Sequence, residues 1–149
     1  MTVSVDSFRE MASSESGLVV VTMLRGDGTM VASVVNAGVM PSPAKNADND
    51  VVAFVARGTH KLEHLRANPN VTVVARSGWR WAAVEGTATV IGPDDPHTGV
   101  DDEVLRRLLR DVFTAAGGTH EDWDEYDRVM RDERSAAVFV TPIRTYPSR

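Results

Sequence analysis

The chain has 149 residues, a net charge of −5 and no cysteine, so disulfide and thiolate chemistry are excluded. The length fits one domain spanning residues 1–149, and the net negative charge argues against general nucleic-acid binding. No apolar run approaches the roughly 18 residues of a membrane span, and the acidic N-terminus lacks a signal-peptide pattern. We therefore expect a soluble, cytoplasmic protein.

The first part of the chain predicts a helix followed by two strands. Residues 3–14 have a helical pattern. The dense apolar run 17–24 and the run 29–40 are predicted strands, and Asp27-Gly28 joins them because this pair accepts the positive φ of a tight turn. Residues 41–50 are rich in proline, asparagine and aspartate and predict an exposed loop.

The middle of the chain predicts two strands on either side of a short helix. The runs 51–56 and 71–76 are short and β-branched, which is typical of strands. Thr59 is the expected N-cap of the helix. The helix is expected to end at Asn68-Pro69, because the residue before a proline avoids the α region.

This helix start is a candidate anion site. Free backbone N–H groups at a helix N-terminus, with Arg57, His60 and Lys61 around them, suit a phosphate or a carboxylate. Residues 51–91 hold five lysines and arginines against two acids, whereas residues 92–134 hold 13 acids against six arginines. A positive segment in an acidic protein favours a local anion site. The alternative is a surface turn with solvated charges.

The second half of the chain predicts a long strand, two helices and a closing strand. In the strand 79–91, Trp79 and Trp81 share one face beside Arg80, and the indoles either stack on a flat heterocycle or pack in the core. Residues 101–116 form an amphipathic helix, a second helix starts with the capping pattern Thr119–Asp122, and residues 136–146 form the last strand. The whole pattern predicts an α+β protein with an antiparallel sheet or barrel of about six strands and two late helices.

Other catalytic patterns are weak. His60-x-x-Glu63-His64 matches the inverted zinc-peptidase motif. However, Pro69 cuts the helix short and no clear third ligand follows, so we expect no metal. No serine has the context of a nucleophile elbow, and no glycine-rich phosphate loop is present.

Four motifs carry a family resemblance over most of the chain. They are Lys61-Leu62-x-x-Leu65-Arg66-x-Asn68-Pro69 before a strand, Trp79-x-Trp81-x-x-Val84-Glu85-Gly86-Thr87-Ala88, the helix opening Thr119-His120-Glu121-Asp122-Trp123-Asp124-Glu125-Tyr126, and Thr141-Pro142-Ile143-x-x-Tyr146. In this order and spacing they resemble the flavin and deazaflavin split β-barrel proteins, which include the pyridoxamine 5′-phosphate oxidase-like group. The third motif resembles the subgroup that uses coenzyme F420.

The resemblance implies an antiparallel split β-barrel that forms a homodimer with its site across the interface. It implies an F420-dependent oxidoreductase that transfers hydride between the deazaflavin and a small conjugated organic substrate. FMN is the alternative cofactor, in an oxidase or reductase of the same fold, although further phosphate-binding positions of the FMN oxidases are not found in this sequence. A second alternative is a non-catalytic carrier of a flavin, a deazaflavin or haem.

The resemblance also implies which residues meet the cofactor. Ser33 would face the polar edge of the ring system. The phosphate or acidic tail would be bound by Arg57, Thr59, His60 and Lys61. The strand that carries Trp79, Arg80 and Trp81 would lie near the cofactor groove, and Tyr146 would reach in from the other subunit.

Overall fold

The structure is a computed structural model, which describes residues 4–58 and 60–147. Within these residues it has six strands, which are β1 (Leu18–Leu24), β2 (Met30–Pro41), β3 (Asp50–Ala56), β4 (Asn70–Ser77), β5 (Arg80–Ile91) and β6 (Ala136–Tyr146). The four described helices are α1 (Asp6–Ser14), α2 (His60–Ala67), α3 (Asp102–Ala115) and α4 (Trp123–Asp132).

The six strands form a closed barrel in the order β1-β2-β3-β6-β5-β4, and β4 pairs back with β1. Every neighbouring pair is antiparallel. Closure leaves no unpaired sheet edge. The prediction of an antiparallel α+β barrel with about six strands and two late helices is confirmed.

The hydrophobic core lies on both sides of β3. Val52 and Phe54 point into the barrel, where α1 and α2 also contribute buried side chains. Val51 and Ala53 point outward and join a second cluster with α3 and α4. A strand that is buried on both faces needs a continuous apolar run, which explains the sequence from Val51 to Ala56.

The two late helices start at aspartate caps. Asp101 accepts a hydrogen bond from the Val104 N–H at 2.8 Å and caps α3. Asp122 accepts one from the Glu125 N–H at 3.1 Å and caps α4. The prediction that the second late helix starts at Thr119 was therefore wrong, because Asp122 holds the cap position and Thr119 precedes the helix.

The short helix α2 fills the connection between β3 and β4. Leu62 and Leu65 are buried and fix its apolar side on the barrel. The helix ends at Ala67, in agreement with the effect of Pro69. Thr59, its expected N-cap, lies outside the described residues.

None of the described helices is both long and apolar enough to cross a membrane.

Candidate functional site

A groove of about 550 Å³ lies between the barrel and the two late helices. One wall comes from β2 and the end of β3, and the other from α3 and α4. Its lining is mainly apolar and includes Val34, Val55, Val112, Phe113 and Met130. A groove of this size and character is typical of sites for small organic ligands and cofactors.

Two cations stand at one end of this groove. Arg57 follows the last residue of β3, and Lys61 lies in the first turn of α2. Gly58 between them has φ of +79°, a conformation that glycine adopts without strain. The side chains of Arg57 and Lys61 both line the groove.

Lys61 is half-buried, and burial lowers the pKa of its ammonium. Within the described part of the chain, no carboxylate lies within 4 Å of its Nζ. A partly desolvated ammonium without a counterion is stabilised by an anion that enters the groove.

Arg57 is already in an ion pair. Its Nη1 donates to Oε2 of Glu133 at 2.8 Å, and Glu133 follows α4 directly. The guanidinium side chain is 62% exposed and the carboxylate side chain 42% exposed, so water screens this pair in part. Sequence reasoning missed Glu133, because 76 residues separate it from Arg57 and no local pattern marks it.

Tyr126 closes the floor of the groove from α4. Its hydroxyl donates to the backbone carbonyl of Leu109 on α3 at 2.9 Å. Burial, together with the nearby Asp127 carboxylate, raises the pKa of Tyr126 to about 12. The phenol is therefore protonated at neutral pH, and it serves to tie α4 to α3.

An aromatic group supports the same wall. Phe113 contacts Tyr126 with ring centroids 5.0 Å apart and Trp123 with centroids 6.1 Å apart. The sequence pattern assigns Phe113 and Tyr126 to the inward faces of their helices, but an inward face does not reveal which residues border a groove. Only the packing of the helices on β2 and β3 distinguishes groove residues from ordinary core.

Charged residues fasten α4 to α3 on the far side of this wall. Asp127 accepts hydrogen bonds from Arg110 Nε at 2.9 Å and from Arg106 Nη1 at 3.1 Å. The Arg110 guanidinium, and then that of Arg106, hold the pKa of Asp127 below its ordinary value. Asp127 is thus ionised at neutral pH and keeps the second wall of the groove in place.

His60, predicted for the anion site, and Ser33, predicted for the polar edge of the ring system, are not among the described residues that line the groove. His60 is 89% exposed and lies 3.9 Å from Glu63. Ser33 is half-buried on β2 and shares its side of the strand with Val31 and Val35, which pack on the barrel core. Ser33 therefore precedes the groove residue Val34 in the sequence, but it lies on the inward side of the strand.

The tryptophan segment lies at the opposite end of the barrel. Trp79 is in the turn before β5 and fully exposed, while Trp81 meets the edge of the Tyr146 ring at 6.1 Å. The end of β3 is instead beside the end of β5, since Val55 and Ile91 both pair with Ala137. About 36 Å of strand separates the two ends of β5, so one chain does not bring Trp81 and Lys61 to a common site.

A smaller hollow of about 330 Å³ adjoins the tryptophans. Met11 of α1, Arg80 and Pro147 also line it. Arg80 lies 3.7 Å from Glu10 of α1, so its charge is partly balanced there.

The described residues contain no cluster of three histidine, aspartate or glutamate side chains that could hold a metal ion.

No protein-family model matches the chain. Solved structures do resemble it in fold. A conserved hypothetical protein from Mycobacterium tuberculosis has a TM-score of 0.66 at 15% identity, over 97% of this chain and 84% of that one. An F420 reductase has a TM-score of 0.57 at 14% identity, over 86% of this chain and 87% of that one.

An FMN-binding protein from Nostoc punctiforme related to pyridoxamine 5′-phosphate oxidase has a TM-score of 0.59 at 9% identity. That match covers 97% of this chain and 84% of the other. At such low identities the likeness establishes the fold. The chain is a split β-barrel, similar in fold to pyridoxamine 5′-phosphate oxidase-like proteins and to an F420 reductase.

Proposed function

We propose that this protein is an F420-dependent oxidoreductase that transfers hydride between the deazaflavin and a small conjugated organic substrate. The observation that carries this proposal is Lys61, half-buried and without a carboxylate partner in the described chain, beside Arg57 at the end of an apolar groove. The cations favour an anionic group, and the apolar walls favour a flat ring system. F420 combines the two, because its deazaflavin ring is linked to a phosphodiester and an oligoglutamate tail.

The chain's own residues would bind and shield the cofactor. Lys61 and Arg57 would hold the anionic part, and Val112 and Phe113 would exclude water from the ring. Bound F420 would supply the hydride chemistry, while the protein supplies position and electrostatics. This division of labour agrees with the described residues that line the groove, which include neither a serine nor an acid.

We further propose that the active form is a homodimer. Leu18, Val20 and Val34 are large apolar residues, 55%, 39% and 64% exposed, on the outer face of adjacent strands. Val34 also lines the groove, so this outer face continues into the candidate site. A second copy that covers the face would bring its own residues to the groove, and Tyr146 of the partner subunit is the candidate.

FMN remains the rival cofactor, and the similar fold of an FMN-binding protein supports it. Both hypotheses are tested by titrating the purified protein with F420 and with FMN and following the fluorescence of each. We expect tight quenching of F420 fluorescence, followed by hydride transfer from reduced F420 to a member of a panel of quinones and enones. A yellow preparation that retains FMN would favour the rival. Tight F420 binding without transfer would favour a carrier, and binding of neither cofactor would overturn the proposal.

A further inference from the structure

The ion pair between Arg57 and Glu133 changes the charge of the candidate anion site. Arg57 Nη1 donates to Glu133 Oε2 at 2.8 Å, and no other described hydrogen bond engages this guanidinium. A guanidinium has five N–H donors in a planar fork. Arg57 can therefore keep Glu133 and bind a second anion at the same time.

Glu133 then becomes a neighbour of any anion that Arg57 binds. Arg57 and Lys61 bring two positive charges to this end of the groove, and Glu133 brings one negative charge. At neutral pH a phosphomonoester carries about 1.5 to 2 negative charges, whereas a phosphodiester carries one. Repulsion from Glu133 grows with the charge of the bound group, so it is larger for the monoester.

We propose that Glu133 is a specificity-determining residue that disfavours doubly charged phosphomonoesters and leaves the site suited to a singly charged phosphodiester. This inference rests on the proposed function, in which Arg57 and Lys61 bind the phosphate of a flavin or deazaflavin cofactor. FMN presents a monoester to this site and F420 presents a diester. The carboxylate of Glu133 would thus give the site a preference for the diester that the two cations alone do not provide.

The opposing interpretation is that Glu133 only positions Arg57. A residue with that role alone would strengthen the binding of every anion, and its removal would weaken FMN and F420 alike. A residue that selects by charge has the opposite effect, because its removal improves binding, and improves it most for the ligand whose phosphate group carries the higher charge. The two roles therefore differ in the sign of the change and in its dependence on the charge of the phosphate group at Arg57.

The experiment measures dissociation constants of riboflavin, FMN and F420 for the full-length protein and for Glu133→Gln. Riboflavin has no phosphate and reports on the ring alone. We expect FMN to bind about tenfold tighter to the variant, F420 about threefold tighter, and riboflavin with unchanged affinity, as one screened unit charge implies. The matched control is Glu63→Gln, which removes one negative charge from α2 without touching Arg57. It is expected to leave the ratio of FMN to F420 affinity unchanged.

Several outcomes would overturn the role of Glu133. They are weaker binding of both phosphorylated ligands to Glu133→Gln, equal gains for both, or no gain in FMN affinity in a variant that binds F420. Glu133→Ala provides a second variant, and thermal unfolding checks that each is folded. Failure of the unmodified protein to bind any of the three ligands would instead refute the proposed function, so the two failures are distinguishable.

Discussion

Gly38 on β2 lies directly against the backbone carbonyl of Ala115 at the end of α3. A Cβ atom at Gly38 would overlap the carbonyl oxygen and carbon of Ala115. The missing side chain is what allows the end of α3, with Val112 and Ala116, to close over β2 and form one wall of the groove.

We predict that Gly38→Ala destabilises the protein by about 3 kcal/mol, because both overlapping groups are backbone and neither can rotate away. The substitution should also weaken cofactor binding, since α3 must shift from the groove. Urea unfolding gives the free energy of unfolding. The control is Gly26→Ala, where the added Cβ meets nothing within 4 Å and the change should stay within about 0.5 kcal/mol. Equal stability of the two variants would show that α3 does not pack as described.

Lys61→Ala is expected to weaken F420 binding at least about tenfold, because it removes a charge-assisted contact in a partly dry site. The melting temperature of the ligand-free protein should change little, since Lys61 has no described ion pair to lose. Lys45→Ala in the exposed loop after β2 is the matched control and should bind F420 normally. Unchanged F420 affinity in Lys61→Ala would remove Lys61 from the site.

Most of the fold could be predicted because its signals are local. The apolar runs set the strands, and Pro69 and Asp101 set helix boundaries that the structure confirms within a residue or two. The start of α4 was misplaced because Thr119 and Asp122 are both good caps, and the sequence does not reveal that His120 and Glu121 stay outside the helix.

The candidate site was predictable only in part. Arg57 and Lys61 are four residues apart, so the turn between them brings them together locally. Trp81 is predicted near the same cofactor only through family resemblance, and in one chain it lies at the other end of the barrel. Glu133 reaches Arg57 through the packing of α4, which depends on tertiary contacts and has no counterpart in a sequence motif.

The ion pairs of Asp127 predict that the protein loses folding stability as the pH falls into the acid range. The pKa of Asp127 is lowered in the folded state, chiefly by the Arg110 guanidinium, so the unfolded chain binds a proton more readily. The contribution of Asp127 is complete above its unfolded pKa and is lost as the pH falls below about 5 and through the folded pKa.

We therefore expect Asp127→Asn to lower the melting temperature at pH 7 and to flatten its fall between about pH 5 and pH 3. The measurement is thermal unfolding as a function of pH. Glu121→Gln, on the exposed segment before α4, serves as the control and should keep the pH profile of the unmodified protein. If the melting temperature of Asp127→Asn falls with pH as steeply as that of the unmodified protein, the Asp127 pairs contribute no pH-dependent stability.

Val34→Lys tests the proposed dimer and its link to the site. Val34 is 64% exposed, lies beside Val20 on the outer face of the barrel and also lines the groove. If a second copy covers this face, a buried lysine there costs several kcal/mol of association free energy, because its ammonium group loses its water. We expect the mass measured by light scattering to fall from that of a dimer to that of a monomer, and F420 binding to weaken with it. Thr114→Lys, on the exposed side of α3, is the control and should remain dimeric. A monomeric mass for the unmodified protein, or a Val34→Lys variant that stays dimeric, would place the interface elsewhere or exclude it.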